Sequence, residues 1–154
     1  MPHSAKGRIL SAAHAAIGAA VLATNLLAAG WGGFAWLRSE PSVAFWYLLR
    51  AAQAVVALQV VLGFILLARG SEPPDGLHVL YGLSPLFITL VSEGMRAGAA
   101  QSVLEEIDDL DALADDERRA VARQVVLRET GVMTIGALLI VTLSLRAMST
   151  GGFV

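Results

Sequence analysis

Cysteine is absent from the 154 residues, which excludes disulfides, thiolate metal sites and thiol redox chemistry. Charge is scarce too: 16% of residues are charged, against about 25% in an average soluble domain. The net charge of −2 gives no reason to expect nucleic acid as a partner. No glycine-rich phosphate loop occurs, and no hydrolase or protease constellation. Histidine occurs only three times. What is abundant is apolar: 56% of residues, with a mean hydropathy of +0.66. The surplus falls in four blocks, each about as long as the ~20 residues that cross a bilayer core.

The expected fold is therefore all-α: an integral membrane four-helix bundle forming one domain over residues 1–154, in contact with the lipid bilayer. The spans are placed at about 9–30, 43–68, 77–95 and 128–147. Residues 1–8 resemble the n-region of a signal peptide, but the run behind them is too long for an h-region and reads as a first span. Trp31, Phe34, Trp36, Phe45, Trp46 and Tyr47 gather around an expected loop at 31–42 and form an aromatic belt at one membrane face. Gln53 and Gln59 interrupt the second span and should face the bundle interior, with Gly63 permitting close helix approach. Residues 69–76 form a turn punctuated by Pro-Pro and Asp-Gly. Pro85 should kink the third span.

Between spans three and four the character changes. Residues 101–127 carry eight acids and three arginines. Val103, Ile107, Leu110 and Leu113, then Val121, Val125 and Val126, recur at helical spacing. Ser102 with Glu105, and Asp115, look like helix N-caps. A polar helical hairpin is expected at about 97–127, with a break near Gly98 and a turn near Asp111–Asp115. Glu93, Arg96, Arg128 and Glu129 should form ion pairs joining spans three and four.

Two of the three histidines open apolar runs in the same setting. His14 is followed by Gly18, and His78 by Gly82. The second and fourth spans lie between arginines, Arg50 to Arg69 and Arg128 to Arg146. This faint repeat suggests a duplicated two-helix unit. Four spans place the N-terminus, the 69–76 turn and the C-terminus on one side, side A; the other is side B. His14, His78, Arg69 and Arg146 then converge at side A. Two histidines on different helices of a bundle can ligate a haem iron from both sides of the ring. A glycine at i+4 lies on its histidine's face and leaves room for a flat porphyrin. Arginines suit the propionates. The expected cofactor-binding residues are thus His14, Gly18, Arg69, His78, Gly82 and Arg146, with His14 and His78 as metal ligands of a haem b.

The segment Val60-Val61-Leu62-Gly63, a short proline-containing turn, and then Leu77-His78-Val79-Leu80-Tyr81-Gly82 resembles half of a haem A synthase. It is also similar to other four-helix membrane b-type cytochromes. In those families a four-helix unit carries histidine pairs that ligate haem. This chain has one possible pair and no clear counterpart of the acidic residue beside a histidine in the synthase's catalytic half. The resemblance implies haem binding rather than haem modification. A bis-histidine cytochrome would transfer single electrons with a quinone or a redox partner protein, in a bacterial cytoplasmic membrane, as a homo- or hetero-oligomer. The alternative is a cofactor-free accessory or structural subunit of a larger membrane complex that docks through its acidic hairpin. A transporter would want charge at mid-membrane, which the spans lack. Side B carries seven of the eleven basic residues, so the positive-inside rule favours side B in the cytoplasm.

Overall fold

The computed structural model describes residues 5–73, 75–107, 109–110 and 112–150. Among them the chain is an all-α four-helix membrane bundle: α1 (Ala5–Leu37), α2 (Val43–Ala68), α3 (Gly76–Leu104) and α4 (Asp115–Thr150). All four are long and apolar enough to cross a membrane. Large apolar side chains such as Leu26, Leu58, Phe64, Leu90 and Leu138 point outward. In water such faces would drive aggregation; in lipid they are the solvated surface. Many of the buried residues are instead small or polar, among them Ala28, Ala29, Ala52, Ala137, Asn25, Ser92, Thr130 and Ser144, beside a few large ones such as Phe45, Leu49 and Met133. Small residues let backbones approach, and the dispersion contacts so gained hold membrane helices together.

Gly32 shows how close that approach is. A Cβ there would run into the Phe45 ring and Thr134 Oγ1. This corrects the expected loop at 31–42. Trp-Gly-Gly reads as a turn, but Gly32 serves packing, and α1 continues unbroken to Leu37. The helix then ends in a Schellman motif. Ser39 adopts φ 54, Glu40 N–H donates to Ala35 O (2.9 Å) and Ser39 N–H to Trp36 O (2.9 Å). Ser42 caps α2 through its Oγ, accepting from Phe45 N–H (3.3 Å), and also accepts from Trp31 Nε1–H (2.8 Å). One hydroxyl thus fastens the end of α1 to the start of α2.

The projecting segment is shorter on one arm than expected. α3 passes Gly98 without a break and stops at Leu104. Ile107, Leu110 and Leu113 therefore lie outside any helix. Ser102 is inside α3 and donates to Ala99 O (3.0 Å), so it is not an N-cap. α4 starts at Asp115. Ala114 O accepts from Arg118 N–H (2.9 Å), and the Glu117 carboxylate accepts from Ala114 N–H (2.9 Å), half of a capping box. The cap is therefore Ala114, one residue before Asp115. Asp111, the expected start of the turn, lies outside the described residues, as do Pro74 and the polar residues 1–4.

Two side chains anchor this segment. The Arg123 guanidinium donates twice to Ser39 O (2.7 and 3.2 Å), tying α4 to the α1–α2 connection. Nearer the membrane, Glu93 of α3 accepts from Arg50 and Gln53 of α2 and from Arg96 one turn on. Arg96 also donates to Glu129 of α4 (3.0 Å) and lies over the Trp46 ring. The ion pairs expected between spans three and four are present and extend to α2. Arg128 is not in the network and donates instead to Ser102 Oγ (3.3 Å).

Around the bundle α1 packs on α2 and α4, α3 packs most extensively on α4, and α2 touches α3 least. Two apolar layers fill the axis. Phe45, Leu49 and Met133 pack towards side B. Val21, Val56 and Ile140 pack nearer side A, supported by Leu86 and Ile88. α3 runs through Pro85, which is buried. Above the second layer, at side A, the helices part around a cavity.

Candidate functional site

The turn between α2 and α3 builds one wall of the cavity. α2 closes on Gly70 at φ 78, with Ser71 N–H donating to Leu66 O (3.0 Å) and Gly70 N–H to Leu67 O (2.9 Å), a second Schellman end. Asp75 then caps α3, its Oδ1 accepting from His78 N–H (2.6 Å). His78 is thereby fixed in the first turn of α3. His14 lies two and a half turns into α1, so α1 must reach roughly 10 Å beyond α3 at side A for the two to meet, at 1.5 Å per residue.

They do meet. The imidazole centroids of His14 and His78 are 6.2 Å apart, with the ring planes inclined at 56°. Both rings line a cavity of about 380 Å³ formed by all four helices, within the 300–1,000 Å³ typical of small-molecule sites. A metal atom about 2.0–2.1 Å from one nitrogen of each ring would place the centroids about 6 Å apart, close to the separation seen. Among the described residues no three histidine, aspartate or glutamate side chains are grouped to hold a metal ion. Two imidazoles are therefore what the site offers a metal.

The glycines of the His-x-x-x-Gly pairs both line the cavity but have different neighbours. At Gly82 an added Cβ would meet nothing within 4 Å, so this wall is open. At Gly18 it would lie 3.1 Å from Gln59 Nε2. Gly18 thus makes room for an amide of α2 rather than for a flat ligand. That amide N–H donates to His14 Nε2 (3.2 Å). Gly63, one turn further along α2, abuts His14 Cε1, which a Cβ would meet at 3.4 Å.

Neither arginine expected at the site lines the cavity. Arg69 is the exposed C-cap of α2, its backbone N–H donating to Ile65 O. Arg146 is exposed on α4 and packs over the ring of Tyr81, 6.0 Å from its centroid. Tyr81 itself lines the cavity, so Arg146 reaches the rim only through it. Two wall residues were not expected as such. Gln59 announced itself as an amide in an apolar span, but its pairing with His14 depends on helix rotation. Ser144 gave no signal.

Apart from Thr134 Oγ1, the buried side-chain polar atoms that lack a partner among the described residues gather here. His14 Nδ1, Gln59 Oε1, His78 Nδ1 and Ser144 Oγ are all buried without a hydrogen-bond partner, and all four residues line the cavity. Buried polar atoms are rarely left so, and a polar ligand or ordered water in the cavity would complete them. The floor is apolar, made by Val21 and Val56. The chain matches no family model, no curated protein and no solved structure at a significant level.

Proposed function

We propose that this chain is a membrane cytochrome that holds one haem b between His14 and His78 and exchanges single electrons at side A. The observation that carries this is the pair of imidazoles from α1 and α3, 6.2 Å apart across a cavity between the helices. The haem would supply one-electron redox chemistry; the chain's residues do the rest. His14 and His78 bind, each from its own helix. Gly82 keeps one wall clear for a flat ligand. Val21 and Val56 close the floor and keep water out of the bundle. Tyr81 lines the cavity and holds the Arg146 guanidinium over its ring, while Glu72 of the α2–α3 turn adds a carboxylate to the same lining. The resemblance of the 60–82 segment to half of a haem A synthase supports the same reading. A quinone or a redox protein at side A of a bacterial cytoplasmic membrane would be the electron partner.

The test is an absorption spectrum of the detergent-purified protein, oxidised and then reduced with dithionite. A Soret band with sharp reduced α and β bands is expected. His14→Ala and His78→Ala should each lose that six-coordinate, low-spin spectrum. A colourless protein that also takes up no added haemin would overturn the proposal.

A further inference from the structure

The two imidazoles of the cavity are unequal. His14 Nε2 accepts from the Gln59 amide (3.2 Å). Among the described residues no side chain hydrogen-bonds the ring of His78, whose Nδ1 is buried and unpartnered. In a neutral imidazole one nitrogen carries the proton and the other a lone pair. With Nε2 accepting, that lone pair is the one His14 would give to a metal. Gln59 and the metal therefore compete for the same electrons on His14, and nothing comparable competes on His78.

The pairing is built into the surrounding backbone. Gly18 vacates the space in which the Gln59 amide sits, a Cβ there lying 3.1 Å from Gln59 Nε2. Gly63 does the same for the His14 ring, at 3.4 Å from Cε1. Gln59 Oε1 is buried without a partner, so its hydrogen bond to His14 is the amide's one contact with the ring. A detached His14 thus has a partner waiting, whereas among the described residues no side chain offers one to a detached His78, whose Nδ1 is already buried without a partner.

We infer that the Gln59–His14 pairing makes His14 the exchangeable axial ligand and His78 the permanent one, so that the His14 side of the site opens to a small exogenous ligand. This rests on the haem reading above. Gln59 acts through His14 and is a positioning residue. The net value of one hydrogen bond corresponds to roughly a two- to tenfold change in the population of the opened state.

Carbon monoxide is the probe. Full-length protein is loaded with haemin, reduced with dithionite and titrated with carbon monoxide, with absorption as the readout. The wild type should bind it. His14→Ala should retain haem as a five-coordinate, high-spin species and bind the gas more tightly, while His78→Ala should lose haem. Gln59→Met, matched in length but lacking the amide, should keep haem at full stoichiometry and bind the gas roughly two- to tenfold more weakly; Gln59→Leu should agree. Equal haem loss in the two histidine variants would sink the inference. So would a wild type that excludes the gas, or an unchanged affinity in Gln59→Met. Each of those results leaves haem bound in the wild type. Failure of every form to take up haemin is the separate result that removes the haem reading and this inference together.

Discussion

At Gly32 a methyl group would strike the Phe45 ring and Thr134 Oγ1; at Gly82 it would meet nothing within 4 Å. Gly32→Ala should therefore lower stability by about 1–3 kcal/mol, as overpacking does. Gly82→Ala should leave the fold intact and add up to about 1 kcal/mol, because alanine restrains the helical backbone better than glycine. Thermal unfolding in detergent, followed by circular dichroism, separates the two; similar losses at both sites would contradict the packing described. Much of the candidate site was legible at this scale. The repeated His-x-x-x-Gly pattern named four residues that line one cavity. The different neighbours of Gly18 and Gly82 were not legible, because spacing along a helix fixes depth but not rotation about the helix axis. The same ambiguity explains Arg69 and Arg146. Both lie near the side A ends of their helices, yet neither lines the cavity.

Helix boundaries were read well where turn residues mark them and poorly where packing decides. The end of α2 and the start of α3 fell where expected, because Gly70 and Asp75 act as punctuation in their own right. The end of α1 did not, since Gly32 looks identical in sequence whether it breaks a helix or admits a neighbour. Ser102 was misplaced because a capping pattern inside a helix satisfies itself on the preceding turn instead. Between elements, Glu93 is the acceptor that joins α2 to α3, the pair of neighbours with the least other contact. Glu93→Ala leaves Arg50, Gln53 and Arg96 without their shared acceptor. Stability should fall by about 1–3 kcal/mol, the range for hydrogen bonds involving charged groups. Hydrogen exchange should rise first in α2 near Arg50. An unchanged exchange pattern there would show that the network does not tether the helix.

For the whole molecule, the four-span architecture followed from block length alone, because a bilayer admits only segments that satisfy their own backbone hydrogen bonds. Orientation follows from charge. Arg38, Arg50, Arg96, Arg118, Arg119, Arg123 and Arg128 sit towards side B, against Lys6, Arg8, Arg69 and Arg146 at side A, which predicts side B in the cytoplasm. The native chain has no cysteine, so single substitutions report without background. In intact cells a membrane-impermeant maleimide should label Glu72→Cys, in the α2–α3 turn, and reach Glu40→Cys, in the α1–α2 connection, only after permeabilisation. The reverse pattern would invert the topology.

The apolar layer of Val21, Val56 and Ile140 acquires an electrical meaning in that orientation. It lies between the histidine cavity and the Glu93 network, and its side chains hold no charge. A membrane voltage drops across low-dielectric material, so most of it falls on and below this septum rather than above it. A charge reaching the cavity from side A crosses little of that field. On the haem reading proposed above, electrons would therefore be exchanged through the side A leaflet alone, with little of the membrane voltage to cross.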